Sequence, residues 1–76
     1  MNKQRRKNIE KLVKSIQEFQ QVIEELKIEE QDYLDNMPEN FQNGEKGENA
    51  QSAIDSMDEA ISNIDEVIYS LESAME

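Results

Sequence analysis

The 76-residue chain has no cysteine, no histidine and no tryptophan, one proline and two glycines. Without cysteine there is neither a disulfide framework nor a thiolate metal site. Without histidine the commonest general base and the commonest metal ligand are both missing. So few glycines and prolines exclude a loop-rich or collagen-like chain. No stretch approaches the ~18 consecutive apolar residues of a membrane-spanning helix. The basic start, Lys3, Arg5, Arg6 and Lys7, has the charge of a signal-peptide n-region, but charge interrupts Ile9 to Leu26, where an apolar h-region would follow. A cytoplasmic location is the expectation. Positive charge is scarce, at 8 Lys+Arg against 18 Asp+Glu, and the net −10 argues against direct nucleic-acid binding through a broad basic face. At this size one domain is the maximum, and a lone hydrophobic core is marginal.

The apolar residues present are strongly ordered. Ile9, Leu12, Ile16, Phe19, Ile23, Leu26, Glu30, Tyr33 and Met37 alternate spacings of three and four, the seam of a coiled coil, with Val13, Val22 and Leu34 flanking it. The spacing predicts one helix from about residue 3 to about residue 35. Pro38 disfavours helix at Met37 and lacks an amide proton, so the helix stops there. Residues from about 36 to 43 form the connection, with room for one short helical turn starting at Pro38. Phe41, its one large apolar side chain, is expected to fold back and plug the end of the core. A second seam follows: Ala50, Ile54, Met57, Ile61, Ile64, Ile68, Leu71 and Met75. Ala53, Ala60, Val67 and Ala74 precede its strongest positions and keep one edge open to a close neighbour. Asn43 or Gly44 as cap, with Glu45 and Glu48 in the first turn, starts this helix at about residue 44, and it runs to about residue 75. Long helices on a short connection lie antiparallel. The expected fold is all-α: a single-domain, coiled-coil-like two-helix hairpin that a second copy could complete into a four-helix bundle.

Charge is divided along the chain. Residues 1–14 hold six positives and one acid; residues 15–76 hold two positives and seventeen acids. Basic residues at a helix N-terminus are disfavoured by its dipole. In the hairpin they would lie beside the second helix's C-terminus and meet Asp65, Glu66, Glu72 and Glu76.

Clustered acids are the one candidate chemistry. Glu29, Glu30 and Asp32 face Glu45 and Glu48, with Asp55 as a further candidate, across the hairpin tip, but the spacing of a calcium-binding loop is missing, and di-iron bundles need histidine. No metal, no cofactor and no catalytic residue is implied, since a two-helix hairpin has no cleft to surround a substrate. Glu30 in the seam is read as a side chain that reaches out to solvent, or else as a register device. Tyr33 and Tyr69 are read as seam and flank residues with wet hydroxyls.

The run Glu30-Gln-Asp-Tyr-Leu-Asp-Asn-Met-Pro-Glu-Asn-Phe-Gln-Asn-Gly-Glu-Lys-Gly-Glu48, followed by Ala50 to Ala60, resembles small acidic proteins of phages and mobile elements of Gram-positive bacteria. These have a similar acid-rich helix, a D-N-M/L-P-E-N/S-L-Q connection and a K/R-G-E start to a second heptad helix. The likeness covers roughly residues 24 to 70 and is specific only in the connection. It implies a setting more than an activity, one that includes inhibitors of host restriction, CRISPR and repair enzymes.

The functional expectation is a non-catalytic acidic interaction protein. It would inhibit or modulate a host nucleic-acid-handling (defence) protein by mimicking the charge of nucleic acid against a basic surface. The candidate partner-binding residues are Glu24, Glu25, Glu29, Asp32, Asp35, Glu45, Glu48, Asp55, Asp58 and Glu59. The alternative is a self-associating structural or adaptor module, a homodimer of hairpins, resting on the doubled heptads and the alanine-lined edge. No membrane partner is expected. A further alternative gives the basic block, Lys3 to Lys14, an anionic contact of its own, unless the second helix neutralises it.

Overall fold

Asn2 opens the first helix by accepting a hydrogen bond from the Arg5 amide on its side-chain oxygen at 2.7 Å, the capping role that short polar side chains fill. In the computed structural model, which describes residues 1–76, helix α1 runs Lys3–Asp35, a single turn α2 runs Glu39–Gln42, and α3 runs Glu45–Met75. Asn36 closes α1: its backbone amide and side-chain amide both donate to the Asp32 carbonyl, at 3.0 and 2.7 Å. Pro38 sets the extended start of α2, and its carbonyl accepts from the Phe41 and Gln42 amides. Gly44 caps α3, and Glu45 and Glu48 occupy the first turn as the helix dipole favours.

α1 and α3 pack antiparallel along their whole length. The result is a rod 58 Å long with a radius of gyration of 17.3 Å, against about 11 Å for a compact chain of this length. The α3 seam holds Gly47, Ala50, Ile54, Met57, Ile61, Ile64, Ile68, Leu71 and Met75, all buried or half-buried. This matches the sequence reading and extends it by one position, to Gly47. That glycine is needed by packing rather than by backbone conformation. A side-chain carbon there would collide with the backbone carbonyl of Gln42, so only glycine lets the α2 turn lie against the first turns of α3.

The α1 seam differs from the sequence reading. Ile9, Ile16, Ile23, Glu30 and Met37 face α3 as expected, but the second row inside is Val13, Gln20, Lys27 and Leu34. The expected second row, Leu12, Phe19, Leu26 and Tyr33, is exposed. The two rows lie one residue apart, a rotation of about 100° on a helix. Polar partners on α3 and the geometry of the hinge decide between them. Gln20 donates to the Ile61 carbonyl at 3.1 Å and to the Asp65 carboxylate at 2.7 Å, and Lys27 donates to Asp58 at 2.7 Å. At the hinge, Gln42 donates to the Leu34 and Asp35 carbonyls at 3.1 and 3.3 Å, which closes the end of α1 on that side.

Phe41 does not plug the core. It is exposed, under the Lys46 ammonium at 5.3 Å from the ring centre, because α2 turns its Gln42 side inward. Glu30 is half-buried at the hinge end of the seam. No large side chain anywhere is fully enclosed.

Candidate interaction surface

On α1 the exposed row has a spacing of its own. Leu12, Ser15, Phe19, Val22, Leu26, Glu29 and Tyr33 alternate three and four, a second seam without a helix against it. Leu12 is 49%, Phe19 67%, Leu26 49% and Tyr33 54% exposed. Asp58 and Asp65 of α3 reach Lys27 and Gln20, so that flank of α3 lies beside the α1 flank carrying Gln17, Glu24 and Gln31. In an antiparallel pair the two remaining flanks must then adjoin. They are the Leu12–Phe19–Leu26–Tyr33 row and the Ala53–Ala60–Val67–Ala74 row. The hairpin therefore has one broad apolar face, bulky along α1 and small along α3, continued at the hinge by a shallow depression between Tyr33, Met37 and Phe41.

The ten candidate acids gather in the hinge half of the rod, and all but Glu24 are exposed. They do not form a single stripe. Only Glu29 stands on the apolar row; the others are distributed over the opposite flank and the outer sides of both helices. Some already have partners. Glu24 and Asp58 both hold Lys27, at 3.3 and 2.7 Å. Asp35 accepts from Gln31 and Asp55 from Gln51, each at 2.9 Å. Glu25, Glu29, Asp32, Glu45, Glu48 and Glu59 make no side-chain hydrogen bond or ion pair. No group of three or more acids is arranged to hold a metal ion. The Asp58 carboxylate, and then that of Glu24, raise the Lys27 ammonium above the ordinary lysine range by accepting its hydrogen bonds.

The basic block does not meet the acids of α3. Arg6 donates to the Met75 backbone carbonyl at 3.0 Å, satisfying the negative end of the α3 dipole. Asp65 is taken by Gln20 instead. The ion pairs of the molecule both belong to Lys27, so Lys3, Arg5, Lys7, Lys11 and Lys14 are left without carboxylate partners.

Periodicity marks the exposed row as apolar but gives it to α3, whereas α3 takes the adjacent row. The signal that separates the rows is Lys27, the one cation of the α1 mid-region, one turn from Glu24 and opposite Asp58 in an antiparallel alignment. No helix is long and apolar enough to cross a membrane. Comparison with protein-family models, with curated proteins and with solved structures finds no match.

Proposed function

We propose that the chain is a non-catalytic interaction protein that seats a helical protein surface on its apolar face. The observation that carries this reading is the exposed row Leu12, Phe19, Leu26 and Tyr33 beside a seam that takes in Gln20 and Lys27. Burying a large apolar side chain is worth ~1.5–3 kcal/mol, whereas an exposed hydrogen bond or ion pair is worth about 1 kcal/mol or less. A hairpin that only had to close on itself would gain more with the larger row inside. Leaving that row out suits a second docking event. The lack of histidine and cysteine, and two surface depressions that do not enclose space, support a non-catalytic role.

The test is a photo-crosslinking amino acid placed at Phe19 and, in a separate variant, at Glu59 on the acidic side. Position 19 is expected to capture polypeptide in cells and position 59 much less. Equal or reversed yields would rule the reading out.

The acidic hinge end supports a second reading, contact with the basic surface of a nucleic-acid-handling host protein. Its observation is the unpaired set Glu25, Asp32, Glu45 and Glu59, and the resemblance of the connection to small acidic phage proteins points the same way. Changing those four to Lys is expected to abolish salt-sensitive capture of such a partner while helicity is retained.

A further inference from the structure

We infer that the occupant of the apolar face is a second copy of the chain, lying antiparallel with hinge end against open end, in a four-helix bundle whose twofold axis crosses near Val22. This rests on the docking reading above and adds to it the partner and its orientation.

Area is the first argument. The accessible surface is 5732 Å², whereas a compact monomer of 8.9 kDa exposes ~4,800 Å². The excess, roughly 900 Å², is close to the ~800 Å² that each partner contributes to a stable interface. The face available, on a rod 58 Å by 15 Å, is large enough to supply it.

Charge sets the occupant and the orientation. Residues 19–60, the hinge half, hold two positives and twelve acids, a net of −10; residues 1–18 and 61–76, the open half, hold six of each, a net of zero. The whole net charge of the molecule therefore lies at one end. The open half also carries the basic residues that α3 leaves unpaired, among them Arg5, Lys7 and Lys11. A twofold axis along the rod would set the bulky row of one copy against the small row of the other, but with the two −10 halves side by side. Packed helices lie ~8–10 Å apart, about one Debye length at ~0.15 M salt, so that repulsion is only partly screened. A twofold axis across the rod places each −10 half against a neutral one. Lys11 of one copy then comes near Asp32 of the other. Phe19 meets the Leu26 region of the second copy, and the alanine rows of the two α3 helices close up.

Two measurements test this. Sedimentation equilibrium of the full chain is expected to give twice the 8.9 kDa mass, and Phe19→Glu is expected to raise the dimer dissociation constant by at least ~30-fold. A monomer at hundreds of micromolar would overturn the inference. If the position-19 crosslink still captured a different polypeptide, the docking reading would survive without it. The second measurement leaves the outer row and the helix cap untouched: Lys3→Cys, a unique thiol at an exposed position with no ion pair, carries a spin label for distance measurement within the dimer. The antiparallel bundle predicts labels separated by about the rod length, 58 Å. A distance under about half of that would mean hinge ends together, and the charge argument would fail.

Discussion

Two rows of side chains run the length of α1, one residue apart, and the fold treats them oppositely. Val13, Gln20, Lys27 and Leu34 face α3; Leu12, Phe19, Leu26 and Tyr33 face outward. Hydrophobicity alone ranks them the other way. The inner row wins through specific partners, Asp65 and Ile61 for Gln20 and Asp58 for Lys27, and through the hinge that fixes the turn of one helix about the other. A row can thus be the more apolar of two and still lie outside when the register is set elsewhere.

The largest effect separates seam from outer face. Ile54, 5% exposed, replaced by Asp buries an unpaired charge and is expected to cost about 4 kcal/mol or more. Leu26→Asp, on the outer row, leaves the α1–α3 seam untouched. Far-UV circular dichroism during urea unfolding should show the helical signal lost for Ile54→Asp and kept, with an earlier midpoint, for Leu26→Asp. Equal losses would erase the distinction between the rows.

Next comes the hinge. Alanine inside a helix normally improves on glycine by about 1 kcal/mol. At position 47 the added carbon meets the Gln42 carbonyl, so Gly47→Ala is expected to destabilise by about 2 kcal/mol or more. The thermal midpoint gives the sign directly, and a rise would mean the hinge does not hold the register.

The smallest effect is in the inner row itself. Lys27 is raised above the usual lysine range by Asp58 and then Glu24. A cation stabilised by folding contributes fully below its unfolded pKa of ~10.4 and loses that contribution as pH rises through the raised folded value. Between pH 9 and 12 the native chain should therefore lose more thermal stability than Lys27→Met. Parallel curves would show the pair to be idle.

Much of this architecture is legible in the sequence. Pro38 and the cap at Gly44 mark the helix boundaries, and the α3 seam follows from its three-four spacing. Ile9, Ile16 and Ile23 are placed correctly because they belong to both candidate seams of α1. The choice between the partner rows is not legible, since periodicity is identical at 12/19/26/33 and 13/20/27/34, and what decides it lies elsewhere, in the α3 partners Asp58, Ile61 and Asp65 and in the hinge. The same limit explains the basic block. Sequence places it beside α3, but a helix-end carbonyl, invisible in composition, takes Arg6 ahead of any carboxylate. The sequence places the candidate acids near the hinge, and all but Glu24 are exposed there; that they surround that end rather than line one side is not legible from it.

The fit of Gly47 against Gln42 has a consequence for how copies share helices. A hinge that straightened would let α3 of one molecule lie on α1 of another, with every seam contact intact, and such exchange has no natural end once hinges stay open. The seam is indifferent to whose α3 it receives. Gln42 lies on Gly47 with its backbone while its side chain holds the Leu34 and Asp35 carbonyls of α1, a combination that ties the start of α3 to the end of its own α1, and Pro38 keeps α1 from running on through the connection. Those few atoms at the tip bias the molecule toward closing on its own chain, leaving the outer face as the place where molecules meet.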